Sequence, residues 1–269
     1  MFCTIGLSHD VDVPIKYLRD SFYSWRGYLL DPNRDDYWRF EDIIEMEKAF
    51  GVRSTFYFCT FNRFDKIGHQ NDVAYNIRSK KLEDVIKSLD SEGFSIGLHA
   101  SINQYLYPYS FVASQNYFEG LLRRKVLGIR HHWWNTGPDV IKTFAHHYKA
   151  GFRYDTSLCE EERTGFLDNK MHPYYIGNTL EIPTFLEDAH MMYYKNTNFK
   201  DFKQWIERLI NCNGVGCIDW HVRTSSPNSH EYKEWGAMYS KILKYLSNKS
   251  EVEVKEIDSV YKKYKEGYK

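Results

Sequence analysis

The chain has 269 residues, long for an ordinary domain but suited to one α/β barrel, and a chain of this length buries roughly 70–75% of its unfolded surface. Hydrophobic residues make up 42% and charged residues 27%, and Lys plus Arg equals Asp plus Glu at 36 each. This composition excludes disordered and fibrous classes, and the balanced charge gives no support to nucleic-acid binding or to attraction to an anionic membrane. In chain order, residues 4–8 read as a first strand. Residues 40–50 place apolar side chains at helical spacing, with Gly51 as a stop. Residues 52–58 form a strand, 81–91 a helix ended by Gly93, and 94–98 the next strand. Residues 115–127 are helical and 128–133 extended. A helix opens at Pro138 and ends at Gly151, followed by extended segments at 152–155 and 180–183. A helix at 199–210, a strand at 216–220, a helix at 231–246, a strand at 252–257 and a last helix complete the chain.

About seven or eight strand–helix units without a linker favour a single parallel α/β barrel over an open sheet. Two segments break the alternation, residues 13–38 and 160–178, and both follow strands. In a barrel, insertions after strands gather over the C-terminal face, where active sites lie. The insert at 13–38 carries Tyr17, Phe22, Tyr23, Trp25, Tyr28, Tyr37 and Trp38. Aromatics reach 17%, with 22 Tyr and 7 Trp, which suits a sugar-binding site or, more plainly, a Tyr-rich core and surface. No apolar run is long enough for a transmembrane helix, and the start lacks the basic and apolar segments of a secretion signal. The five cysteines are odd in number, without a Cys-x-x-Cys pair, and read as reduced thiols in a cytoplasmic protein.

Polar clusters stand at the ends of several strands. His9, Asp10 and Asp12 follow the first, and His99 follows residues 94–98. Arg130, His131 and His132 end the fourth, Asp155 ends another, and His221 follows Trp220 late in the chain. Such positions share one rim of a barrel. Asp10 and Asp12 are two apart and share a face of an extended segment; two close carboxylates need a cation or a shared proton. With His99 nearby they suit a divalent metal, although Asp-Val-Asp-Val-Pro also fits a solvated turn. His221 alone also fits a packed core histidine, and His146 and His147 read as surface residues of a helix.

Taken together, these segments resemble the polysaccharide deacetylases of the NodB type, carbohydrate esterase family 4. Ser8-His-Asp-Val-Asp12 resembles the first motif in an Asp-x-Asp form, close to a subgroup found among bacterial surface-polysaccharide genes. Residues 53–58, Ile96-Gly-Leu-His99, residues 128–133, Tyr154-Asp-Thr-Ser157, Glu181-Ile-Pro183 and Ile218-Asp-Trp-His221 resemble later segments in the family's order, over roughly residues 4–225. The resemblance implies a distorted (β/α)7 barrel spanning residues 1–269 as one domain, with the 13–38 insert over its active-site face. It implies a metal-dependent hydrolase that removes an N-acetyl group from an acetamido sugar. That substrate would be nucleotide-linked, lipid-linked or an oligosaccharide, in surface-polysaccharide biosynthesis. By position, Asp10 matches the general base, Asp12 and His99 metal ligands, and Arg130 the partner that keeps the base ionised. His221 matches the general acid and Asp155 the carboxylate that orients it. The ion expected first is zinc.

One position departs from the family. A second ligand histidine usually stands four residues after the first, and here that residue is Asn103. Three outcomes follow. His132, two residues beyond Arg130, replaces it. Alternatively, Asp12, His99 and Asn103 hold a metal weakly with waters. Otherwise the site is degenerate and binds a sugar without turning it over. Trp25, Tyr28, Trp133 and Trp134 are candidates to stack on sugar rings, with core packing as the plainer role. A deacylase of another amide, or a non-catalytic carbohydrate-binding or assembly protein, is the competing function.

Overall fold

The structure is a computed structural model and describes residues 2–16, 35–60, 72, 73 and 75–267. Its elements run β1 (Cys3–Val11), α1 (Phe40–Ala49), β2 (Thr55–Phe58), α2 (Lys80–Ser91), β3 (Ser95–Ala100), α3 (Pro108–Leu122), β4 (Gly128–His131), α4 (Val140–Ala150) and β5 (Tyr154–Asp155). There follow β6 (Tyr174–Ile176), β7 (Thr179–Glu181), β8 (Thr184–Glu187), α5 (Asp188–Met192), α6 (Phe199–Cys212), β9 (Val215–Asp219), α7 (Lys233–Ser247), β10 (Val252–Glu256) and α8 (Ile257–Gly267).

Parallel pairing runs from β9 through β1, β2, β3 and β4 to β5. The ring is closed by one bent segment. Its first half, β7, pairs with β5, and its second half, β8, pairs with β9. Pro183 stands between them; it has no N–H to give a neighbour, so it fits the point where the chain leaves one partner for the next. Ile182 N–H donates to the Asp155 carbonyl, and Cys217 N–H donates to the Pro183 carbonyl. The result is a distorted (β/α)7 barrel. The expected strand at 180–183 is thus the first half of a longer, kinked element. β10 lies beside the N-terminal half of β1, below β2, and β6 adds an antiparallel hairpin to β7.

Local chemistry sets the helix ends. Asn198 and Asp201 form a reciprocal cap at the start of α6, and Asp139 accepts from the Lys142 N–H at the start of α4. Helix α3 starts at Pro108, earlier than the periodicity from residue 115 predicts, because Pro suits the first helical position. Gln115, the expected start, is instead a buried side chain whose amide bonds both the N–H and the C=O of Val126.

Two apolar layers join helices to the barrel wall. One packs Phe40, Ile43, Ile86, Phe111 and Phe118 on Phe56, Ile96 and Ile129. The other packs Phe202, Ile206, Ile242 and Leu243 on Ile5, Leu7 and Ile218. Each such side chain contributes about 1.5–3 kcal/mol on burial. A third cluster fills the interior, where Tyr57, Tyr154, Leu180, Ile182 and Cys217 meet Ile257, Val260 and Tyr261 of α8.

Candidate active site

Alternation along the strands decides which polar residues reach the barrel mouth. On β1, Ser8 and Asp10 face inward, and Asp12 follows just past the strand end. His9 faces outward, where its Nε2 lies 2.8 Å from Glu47 of α1. On β4 and the turn after it, Arg130 and His132 face inward and His131 outward. On β9 and beyond, Asp219 and His221 face inward, while Trp220 packs outward on Tyr239 of α7.

Arg130 is fully buried and organises one half of the mouth. Its Nη1 donates to Asp219 Oδ1 at 2.6 Å, to Ser8 Oγ at 2.7 Å and to Asp10 Oδ1 at 3.1 Å. Its Nε donates to Thr156 Oγ1 at 3.0 Å, and its guanidinium lies 4.6 Å from the Tyr57 ring centre. Asp219 was not singled out from sequence, although its spacing of two from His221 placed it on the same face. Burial, with Asp10 adding to it, pushes the Asp219 carboxyl up to about 7.

Asp12, His99 and His132 form the second half. One ligand atom of each lies within 4.8 Å of the others. His99 Nε2 is 3.0 Å from Asp12 Oδ1, His132 Nε2 is 3.8 Å from Asp12 Oδ2, and the two imidazoles lie 5.3 Å apart. His99 Nδ1 faces the Arg130 carbonyl at 3.2 Å; a carbonyl only accepts, so Nδ1 carries a hydrogen and Nε2 is directed at Asp12. His132 Nδ1 faces Asp72 Oδ1 at 3.3 Å, which likewise turns its Nε2 inward. Each imidazole is therefore oriented by an oxygen behind it, the usual support of metal-ligating histidines. Asp72 had no local signal in the sequence. Burial raises the Asp12 carboxyl, but His132 and His221 outweigh it and hold it well below the usual carboxylate range.

His221 completes the site. Its Nε2 lies 3.0 Å from Asp12 Oδ2 and its Nδ1 3.0 Å from Asp188 Oδ1. Burial disfavours its charged form, but Asp188 and Asp12 outweigh burial and raise the imidazole well above its ordinary value. Asp188 also accepts from the His221 N–H and the Thr224 hydroxyl.

This corrects the expected partner of His221. Asp155 does not reach it. On β5, Tyr154 and Thr156 face inward, so Asp155 faces the helix layer, where its Oδ2 lies 3.1 Å from His147 Nδ1 and its Oδ1 accepts from the Ser157 N–H. His147, expected at the surface, is fully buried because α4 turns Thr143, Phe144, His147 and Ala150 inward. His147 Nε2 continues to His131 Nε2 at 3.0 Å. Asp188 follows β8, so the strand-end rule would have found it had that strand been read past Pro183.

The remaining expected residues fall differently. Asn103 sits half-buried before a short 3-10 turn, and its carbonyl accepts from the Leu106 N–H. Trp25 and Tyr28 lie outside the described residues, as does most of the 13–38 insert. Its described end is tied down where the Asp36 carboxylate accepts from the N–H groups of His230 and Glu231 and from Ser229. Trp133 and Trp134 have φ of 56° and 54°, a left-handed conformation costly for bulky residues. Trp133 is 56% exposed. Trp134 lies 5.5 Å from the Arg130 guanidinium and, with Cys159, Glu160 and Leu167, lines a cavity of about 560 Å³.

The donor sets distinguish where a metal fits. Asp10, Asp219 and His221 are also close enough to share an ion, but Arg130 already lies between the two carboxylates. His131, His147 and Asp155 are fully buried and form a chain, with His147 between the other two. At Asp12, His99 and His132, nitrogens face a carboxylate across a gap that a proton or a metal ion satisfies. Two imidazole nitrogens and a carboxylate oxygen are a donor set for zinc with a position left for another ligand. Arg223 Nη1, 3.2 Å from Asp12, is the other fixed cation here.

No family model and no curated protein sequence matches the chain. Solved structures do share its fold. A chain described as a polysaccharide deacetylase from Mycobacterium smegmatis superposes with a TM-score of 0.63 at 13% identity, over 99% of this chain and 91% of that one. The fold is that of a polysaccharide deacetylase barrel. A 4-α-glucanotransferase from Thermococcus litoralis matches with a TM-score of 0.59 at 12% identity, over 98% of this chain and 40% of its own. One deacetylase-type barrel thus resembles proteins of two named activities, and the reaction must be argued from side chains. Among the described residues no helix is long and apolar enough to cross a membrane.

Proposed function

We propose that this chain is a metal-dependent hydrolase that removes an N-acetyl group from an acetamido sugar. The observation that carries the reading is the placement of Asp12, His99 and His132 between an arginine-paired carboxylate, Asp10, and an imidazole held by Asp188, His221. Asp12, His99 and His132 would hold the ion, zinc first among candidates, with Asp72 and the Arg130 carbonyl orienting the imidazoles. A divalent ion there supplies polarisation of the acyl carbonyl and acidifies water.

The protein's own groups do the proton work. Asp10 is held at the mouth by the bond from Arg130 to its Oδ1 and would accept a proton from the attacking water. His221 holds a proton on Nε2 and gives it to the departing amine; Asp188 on Nδ1 fixes the ring and stabilises the imidazolium. Asp188 takes the orienting role first expected of Asp155. Trp134, beside Arg130 and on the cavity wall, offers an aromatic face to a sugar ring. The first motif's Asp-x-Asp form supports a substrate from surface-polysaccharide synthesis, nucleotide-linked, lipid-linked or oligosaccharide, handled in the cytoplasm.

Acetate release tests the reading. Zinc-loaded protein is incubated with a nucleotide-linked N-acetylglucosamine and with chitooligosaccharides. Release from either substrate, abolished by a chelator and restored by zinc, is the expected result. Release that survives full chelation would overturn the metal dependence, and no release across the panel would favour a carbohydrate-binding role.

A further inference from the structure

We propose that His9, backed by Glu47 and Tyr239, positions the acid His221 from behind the barrel wall, through the backbone of the turn that follows β9. The inference rests on the proposed function only for its effect on turnover. Its links are hydrogen bonds on the outward side of β1. His9 Nδ1 faces the Trp220 carbonyl at hydrogen-bond distance, one residue before His221. A carbonyl only accepts, so Nδ1 carries a hydrogen and donates it. His9 Nε2 lies 2.8 Å from Glu47 Oε1 of α1 and 3.2 Å from the Tyr239 hydroxyl of α7. Tyr239 donates to the same Glu47 oxygen. The imidazole is thus held on one edge by two helices and holds a strand-end carbonyl with the other.

The bonds continue along the turn. Register pairing of β1 with β9 ends at Ser8 and Asp219, and the Trp220 N–H still donates to the Ser8 carbonyl. Past that point side chains hold the chain. Ser225 Oγ donates to the His221 carbonyl at 2.8 Å and lies 3.2 Å from His9 Nδ1. On the mouth side, the His221 N–H and Nδ1 are both held by Asp188. The peptide that carries His221 is therefore fixed from two sides, by Asp188 in front and by His9 with Ser225 behind. Fixing that peptide sets where His221 Nε2 stands.

Glu47, His9 and Ser225 carry the residue types of a hydrolytic triad, but their placement suits another role. All three are fully buried, and the serine directs its hydrogen at a main-chain carbonyl. The surroundings are apolar and aromatic: the His9 ring lies 4.8 Å from that of Phe56 and 5.4 Å from that of Tyr239. An imidazole in such a layer costs free energy unless its nitrogens are bonded, and both have partners. An apolar residue fits the same layer but gives nothing to the Trp220 carbonyl. His9, Glu47 and Ser225 are positioning residues in this scheme.

The test uses the full chain labelled with ¹⁵N-histidine. The His221 ring signals are identified by their loss in His221→Gln. Ser225→Ala removes one hydroxyl; it should shift those signals and lower kcat by about three- to ten-fold with KM unchanged, the size of one hydrogen bond. Tyr239→Phe acts further from the turn and should shift them less. His9→Phe combined with Glu47→Leu removes both partners together and should lower kcat by about 10²-fold, the scale of a catalytic group displaced by about 1 Å. Thr179→Val serves as the control. It removes another buried hydroxyl that donates to a main-chain carbonyl, that of Phe144, so the His221 signals and kcat should stay in place. His221 signals unmoved by Ser225→Ala, or moved equally by Thr179→Val, would overturn the proposal. Loss of all turnover in Ser225→Ala with unmoved signals would make Ser225 a nucleophile and overturn it too. If the double variant does not fold, Ser225→Ala and Thr179→Val still decide. If the parent protein releases no acetate, the proposed function fails, and the histidine spectrum still decides this inference.

Discussion

The two halves of the barrel mouth solve the same electrostatic problem in different ways. Around Arg130, two buried carboxylates, Asp10 and Asp219, share a guanidinium built into β4. Around Asp12, the neighbours are two imidazoles, a third from His221, and Arg223 at the edge. A guanidinium is permanently charged and cannot exchange, whereas imidazoles bind a proton or a metal in the same place. The first half is therefore a fixed device and the second a loadable one. The difference teaches that the metal reading rests on which cluster turns imidazole nitrogens toward its carboxylate, not on how many acids gather there.

The comparison can be broken most severely at the acid. His221→Ala should reduce turnover by about 10²–10⁴-fold while zinc binding persists, because Asp12, His99 and His132 supply the three proposed ligands without it. Near-parental turnover on a confirmed substrate would make His221 a packing residue. Next comes the paired test of its support. Asp188→Asn should lower kcat by about 10²-fold, within the range of general acid–base help, whereas Asp155→Asn should act mainly on stability. Steady-state kinetics beside thermal melts separate the two, and the reverse ranking would restore Asp155 to the role given it by sequence. Asp72→Asn should weaken zinc about 10–100-fold, as losses of a carboxylate behind a ligand histidine do. Asp219→Asn, in the arginine half, should leave zinc affinity unchanged. Equal losses in both would dissolve the distinction between the halves.

The smallest effect concerns His190, buried near Asp188 at the acid-bearing side. Burial pushes its imidazole down to about 4, below the unfolded value of 6.5. The unfolded chain then takes up the proton first as pH falls, so the stability from His190 is whole above pH 6.5 and lost toward pH 4. Between pH 6.5 and 5.5 the loss should be about 1 kcal/mol, or roughly 2 °C in Tm. His190→Gln should flatten that part of the melting curve; an unchanged slope would show that other groups cause it.

Much of this arrangement was legible in the chain because strand ends carry it. Asp10, Asp12, His99, Arg130 and His221 each follow or end a short apolar run, and such positions meet at one rim. The placement of His132 beside His99 also follows from its spacing of two from Arg130. What failed was facing. Asp155 was assigned by motif order, but the inward positions on β5 belong to Tyr154 and Thr156. Asp188 was hidden by Pro183, which looked like the end of a strand and is a bend inside one. Asp72 was invisible for another reason: it comes from a connection with no periodicity, and only the closed barrel brings it to His132.

Zinc titrated into chelator-treated protein by calorimetry, for the parent chain and for His132→Ala and Asn103→Ala, addresses the central claim most directly. The account predicts one tight site per chain, lost in His132→Ala and largely kept in Asn103→Ala. No zinc binding by the parent chain, or binding that survives His132→Ala and disappears in Asn103→Ala, would contradict it.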